Sequence, residues 1–409
     1  MPDRPVHVSK NRPCSRPVRG NPFPQVFAGW ETHRGLVADG FEQSGTMVRM
    51  SERTPSAKPQ APLGAIDRLR EKNSCRWPNI AAAQSTSRDK MAQLATLANG
   101  LLPTDEGALV VFGSLARAEF TAGSDLDWTI LIDGRADSNH LEIVHQLKPK
   151  LEVADFKLPG PTELFGGLVF SHELIHAIGG DEDSNKNMTR RLLLLLESKP
   201  IPVSASKDVH ERIVRGILNR YVEEDASFLG DPAKKIPRFL LNDVVRFWRT
   251  MCVDYANKFR ARSGQKWALR NIKLRMSRKL LFVAGLFMCL SWKLKPKGNV
   301  DPDLFRYRLV DHLREWTTRA PLESLATIIE TYAPSLAVEI FDSYDSFIEL
   351  LNDGARRQAL EKLSPDEAYI DEEFLKARGL SDTFDEGLRR LLFDSNHDLT
   401  ELVKQYGVF

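Results

Sequence analysis

The chain has 409 residues, with 57 Lys and Arg against 55 Asp and Glu and a hydrophobic share of 42%. That length exceeds one small core and points to two domains plus tails. The near-balanced charge excludes a uniformly basic nucleic-acid coat but leaves room for a local basic groove. Cys14, Cys75, Cys252 and Cys289 lie far apart with no CxxC pair, which argues against a zinc ribbon or disulfide framework and for a reducing cytoplasm.

Residues 1–61 are rich in Pro, Arg, Gly and Ser without a sustained period and read as a disordered, mildly basic arm. They hold no apolar stretch of the secretory kind, and Met47 and Met50 offer alternative translation starts. From Leu63 a helical pattern runs to a stop at Asn99-Gly100. Ala108–Phe112 is a short apolar run that predicts a buried strand, followed by a turn at Gly113-Ser114. Leu126–Ile132 predicts a second strand, Ser138–Lys148 a helix, and Leu151–Leu158 a third strand closed by Pro159-Gly160-Pro161. The fold class expected is α+β, a mixed sheet with flanking helices over residues 62–205. A mostly helical C-terminal domain is expected over 206–409. There Phe239–Lys258 spaces Leu240, Val244, Phe247, Met251 and Tyr255 on one helical face. The apolar run Leu280–Leu290 falls short of the roughly 20 residues a bilayer requires, so no membrane partner is expected.

The chemistry concentrates in VVFGSLARAEFTAGSDLDWTILI. A strand ends in Gly113-Ser114, ten residues separate Ser114 from Asp125, and Asp127 follows two positions later. In a strand, residues i and i+2 share a face, so Asp125 and Asp127 point one way while Leu126 and Trp128 enter the core. Paired carboxylates suit hard divalent cations. Gly113 lets backbone approach a polyphosphate closely. Ser114, the amides after it and Arg117 offer donors and positive charge, and Ser124 orders the turn into the acidic strand.

These residues resemble the DNA polymerase β-like nucleotidyltransferase superfamily. G-S-L-A-R-A-E followed by S-D-L-D is most similar to the bacterial uridylyltransferases of nitrogen regulation. The close likeness covers about 25 residues, with a looser one through 150–260, and Ala118 stands where many relatives have glycine. The resemblance implies two Mg²⁺ or Mn²⁺ ions held by Asp125 and Asp127, and an NTP or dNTP donor. It implies transfer of a nucleotide monophosphate to a hydroxyl with release of pyrophosphate. It also implies a third metal-binding and catalytic carboxylate on a later strand. Asp155 is the choice, flanked by apolar residues in LEVADF, with Glu152 second. The acceptor is either a protein side chain or a nucleotide or oligonucleotide hydroxyl. The phosphohydrolase and small-molecule-sensing domains of the uridylyltransferases have no counterpart here.

Two rival readings stand beside this one. His172–His176 spells H-E-x-x-H, which on a helix would offer His172 and His176 to zinc with Glu173 as base, as in a metallopeptidase. The other rival is an inactive module that holds nucleotide without turnover. Basic residues also recur at helical spacing. Arg246 and Arg249 lie opposite an apolar face and are expected to contact nucleotide. Lys266, Arg270 and Lys273 form a second stripe, with Arg275, Arg278 and Lys279 adding charge and Arg190 and Arg191 in reserve.

Overall fold

The computed structural model describes residues 63–407, apart from 103–105, 161–163, 204–207, 226–235, 262–265 and 295–303. The expected arm, 1–61, lies outside the described residues. Helices α1 (Ala65–Asn73) and α2 (Pro78–Ala98) replace the single helix expected there. Ser74 and Trp77 take left-handed backbone between them, and Pro78 opens α2, where its missing N–H is harmless. Asp345 accepts from the Ile80 amide at 2.8 Å and from Asn79 at 2.7 Å, anchoring this helix start to a distant part of the chain.

Four strands form one mixed sheet in the order β3-β2-β1-β4. Strands β1 (Gly107–Phe112) and β2 (Trp128–Ile132) pair antiparallel, β4 (Ser198–Pro200) joins β1 antiparallel, and β3 (Leu168–Phe170) runs parallel to β2. The two-residue period of a strand distributes β1 between two apolar cores. Leu109 and Val111 pack with Trp128, Ile130, Leu94 of α2 and Ile143 of α4 (Asn139–Val153). Ala108, Val110 and Phe112 pack with the helices that follow. The sheet and the later helices thus share one core. Residues 61–409 form one compact unit, and the division expected near 205 falls inside it.

The third strand expected at Leu151–Leu158 is absent. Ile143, Val144, Leu147 and Leu151 recur at helical spacing and are all buried, so α4 continues across Pro149 to Val153. Val153 is 89% exposed, which strand alternation with buried Leu151 would not produce. The sheet's third member in chain order is β3, reached only after α4 and a turn.

Beyond β3 the chain is helical. α5 (Ser171–Ile175), α6 (Asn185–Leu196), α7 (Val209–Glu223) and α8 (Arg238–Ala261) lead to α9 (Trp267–Lys273). A π-helical turn, Leu274–Arg278, joins α9 directly to α10 (Lys279–Leu294). α11 (Phe305–Thr317), α12 (Pro321–Tyr332), α13 (Ala337–Asn352), α14 (Gly354–Lys362), α15 (Pro365–Ala368), α16 (Glu372–Phe393) and α17 (His397–Tyr406) complete it. Among the described residues no helix is long and apolar enough to cross a membrane.

Candidate functional site around Asp125 and Asp127

Strand pairing sets the site. The Phe112 amide donates to the Asp127 carbonyl at 2.8 Å, carrying the β1–β2 ladder one step past the end of β2. The chain then turns at Gly113, whose φ of +64° favours glycine, into the short helix α3 (Gly113–Ala116). A Cβ on Gly113 would come 2.7 Å from Oδ2 of Asp127, so the glycine leaves space for that carboxylate. Ala118 also has positive φ, +60°, a backbone conformation that glycine would adopt at less cost. Ser124 closes the turn before the acidic pair: its hydroxyl accepts from the Thr121 amide at 3.1 Å and its amide donates to the Thr121 carbonyl at 2.9 Å.

Leu126 and Trp128 are buried in the core, as the alternation requires, while the Asp125 side chain is 43% exposed and pairs with Lys157. The Lys157 carbonyl accepts from the Leu126 amide at 2.7 Å, fixing that lysine beside the acid. Burial pushes the Asp127 carboxyl up to about 6, with Glu197 and Asp125 adding to the shift and Arg278 and Arg117 opposing it.

Asp155 does not join the pair. It occupies a left-handed turn (φ +59°) just after α4 rather than a strand. Glu152 lies within α4. Among the described residues no three His, Cys, Asp or Glu side chains gather into a set able to hold a metal ion. The same finding bears on His172 and His176. Their rings lie 4.9 Å apart across one helical turn, without a third ligand.

Arg117 is placed differently from expectation. Its guanidinium is buried, donating to Glu119 at 2.9 Å and to Glu197. Burial opposes its charge, but Glu119 and Glu197 outweigh that and raise its pKa further above its usual range. Glu119 also accepts from Tyr344 of α13 at 2.9 Å, and Glu197 from Arg278 at 3.1 Å. A relay, buried except at Arg278, therefore runs from α13 through the loop after α3 to the π-turn. Further along that loop, Ala122 donates to Asn352 of α13 at 3.4 Å, and the Arg357 guanidinium of α14 packs against Gly123 with no room for a Cβ.

A cavity of about 530 Å³ lies among the helices; neither acid lines it, but two of its cations act electrostatically on the pair, Arg278 on Asp127 and Lys273 with Asp125. Leu164 and Phe165 form one wall, just before Gly166, whose amide donates to the Trp128 carbonyl at 2.7 Å. Helix α8 presents Phe247, Thr250, Met251, Asp254 and Tyr255. The stripe expected there, Arg246 and Arg249, is turned away. Arg249 is exposed, and Arg246 donates at 2.8 Å to Asn185, which itself lines the cavity. The second basic stripe contributes instead through Arg270, Lys273 and Arg278. Lys266, Arg275 and Lys279 are engaged elsewhere, with Glu361, Asp382 and Asp385. Arg191 is fully buried against Asp183, Asp243 and Tyr221 as a core ion cluster.

Lys157, Phe165 and Arg357 have no local sequence signature. They reach the site through tertiary packing, and only the basic character of 266–279 pointed toward this region. Compared with protein-family models and with curated proteins, the chain matches none, and its residues alone carry the functional reading.

Proposed function

We propose that the chain is a metal-dependent nucleotidyltransferase. It moves a nucleotide monophosphate from an NTP or dNTP to a hydroxyl of a protein side chain or of a nucleotide and releases pyrophosphate. The observation that carries this reading is that Asp127, packed against the Gly113 turn, and Asp125 interact electrostatically with Arg278 and Lys273, cations that line the cavity together with Arg270. A triphosphate carries about four negative charges, and cations that meet it through charge-assisted hydrogen bonds contribute about 1.5–3 kcal/mol each.

The two carboxylates fit Mg²⁺ or Mn²⁺. Their oxygens are hard donors, Asp125 already holds the cationic Lys157, and desolvation, with Glu197 and Asp125 adding to it, holds the half-buried Asp127 carboxyl high against Arg278 and Arg117. Asp125 and Asp127 would hold the metal, which supplies charge neutralisation at the reacting phosphorus and activation of the attacking oxygen. The chain's own groups do the rest. Arg278, fixed by Glu197, and Lys273 bind phosphate oxygens. Phe165, Phe247 and Tyr255 provide apolar and aromatic surface for the base. Gly113 keeps the Asp127 carboxylate within reach of the turn. Asp155, Arg117, Arg246 and Arg249 have no part in this scheme as direct ligands.

The test is incubation of the full chain with each labelled NTP and dNTP and Mg²⁺ or Mn²⁺, separating labelled protein from labelled oligomers on gels. Transfer that disappears in Asp125→Asn/Asp127→Asn supports the reading. Binding without pyrophosphate release would instead mark an inactive nucleotide-holding module. Pyrophosphate release unchanged in the double variant would remove the acidic pair from the chemistry.

A further inference from the structure

The π-turn between α9 and α10 has a chemical consequence at the cavity. In an α-helix, residues five apart differ by about 140° around the axis and face different directions. Here the Lys279 amide donates back five residues to the Leu274 carbonyl, the π pattern. That widening lets Lys273 and Arg278, five residues apart, line the same cavity. Arg278 has Glu197 as its partner at 3.1 Å. Lys273 is different: among the described residues no carboxylate pairs with its ammonium, although it sits inside the cavity.

We propose that Lys273 is the acid that protonates the departing pyrophosphate, an inference that rests on the nucleotidyl-transfer reading. The acceptor oxygen forms its bond to the α-phosphorus and sheds its proton to solvent. The bond from the α-phosphorus to the bridging oxygen breaks, and that oxygen keeps the electron pair. It then takes a proton from Nζ of Lys273, leaving a neutral amine that solvent reprotonates. The surroundings suit a lysine that exchanges protons. Burial brings the amine down to about 7; Arg357 of α14, Arg278 of the π-turn and Arg117 just after α3 push the same way, against Asp125. From α8, Asp254 and Tyr255 share the cavity, and from α6, Lys186. The triphosphate reverses this balance: its negative charge raises the affinity of Nζ for a proton. Binding therefore loads the proton that departure of pyrophosphate uses.

The experiment is calorimetric titration of the full chain with an α,β-methylene nucleoside triphosphate and Mg²⁺ at pH 8, in buffers of different ionisation enthalpy. Asp127 is already ionised at that pH and adds no proton change. The wild type should take up most of one proton on binding, and Lys273→Arg, which stays charged, should take up almost none while still binding. In turnover, Lys273→Arg should lose about 100-fold in kcat, the scale of general acid catalysis, with KM within about threefold. A residue that only positioned phosphates would move KM first and tolerate arginine. Binding without proton uptake, or a Lys273→Arg variant with wild-type kcat, overturns the assignment of Lys273 and leaves the transferase reading standing. Absence of any nucleotide binding by the wild type overturns both.

Discussion

Replacing Asp127 with asparagine should make the protein more stable while abolishing its activity. Burial raises the Asp127 carboxyl from its ordinary 3.8 to about 6. A carboxyl whose pKa is higher in the folded state destabilises the fold when it is ionised. The burden is absent well below the unfolded value of 3.8, grows as pH rises, and is full above 6. At about 1.4 kcal/mol per pKa unit, the shift amounts to about 3 kcal/mol at pH 7 and above. Near pH 4.5 the same linkage leaves only about 1 kcal/mol. Asparagine keeps the shape of the side chain and removes the charge. Thermal unfolding without divalent metal should therefore show Asp127→Asn melting higher than wild type at pH 8, by about 5 °C for a unit of this size. The gain should shrink toward pH 4.5. Added Mg²⁺ or Mn²⁺ should stabilise the wild type, because the ion binds the folded state, and should do little for the variant. A variant that melts lower than wild type at pH 8, or that retains turnover, would refute the claim that Asp127 is a destabilised acid awaiting a cation.

Gly113→Ala should lower stability by about 1–2 kcal/mol through its left-handed backbone. It should weaken Mn²⁺ binding at least tenfold, because the new Cβ meets Oδ2 of Asp127 at 2.7 Å; unchanged metal affinity in a titration would separate the glycine from the acid. Arg249→Ala should leave kcat/KM within about twofold, as expected of an exposed side chain away from the cavity, and Arg246→Ala should act mainly on KM through its bond to Asn185. A tenfold loss of kcat/KM in Arg249→Ala would restore that residue to the site. Asp155→Gly should match wild-type turnover and gain slightly in stability, since glycine fits φ +59° without the penalty of a side chain. Loss of metal-dependent turnover in this variant would reinstate Asp155 as the third carboxylate.

Local signals were readable in the sequence; nonlocal ones were not. The strands around the motif and the burial of Leu126 and Trp128 followed from alternation, because strand period and hydrophobicity act within a few residues. Helix α8 followed from its apolar spacing. The strand read at Leu151–Leu158 failed because Leu151 belongs to the helical series begun at Ile143, which continues across Pro149. Asp155 fell with that strand. Arg117 was read by charge alone; its buried partners, Glu197 and, through Glu119, Tyr344, lie 80 and about 230 residues along the chain. Which side of α8 faces the cavity depends on what packs against it, and the π-turn that redirects Lys273 leaves no pattern of charge or hydrophobicity in one sequence. The proposal of a nucleotidyltransferase rests on the motif and on the reading of the site.

Two features of the site are each unfavourable alone. Asp127 is a half-buried acid held above its ordinary range by desolvation, and Lys273 is an amine held below its own by desolvation and then by Arg357, Arg278 and Arg117. Each is corrected only in part, Asp127 by Arg278 and Arg117 and Lys273 by Asp125. The relay from Tyr344 through Glu119, Arg117 and Glu197 to Arg278 braces the sheet and the helices against each other. On the proposed function, a divalent cation would relieve the first strain and a triphosphate the second. Each ligand also attracts the other, so metal and nucleotide should bind with positive cooperativity, each tightening the other by the same factor. If the relay keeps those charges from moving apart, the proposed site would select a metal-bound polyphosphate over either component alone, which titration of metal, nucleotide and the two together would show.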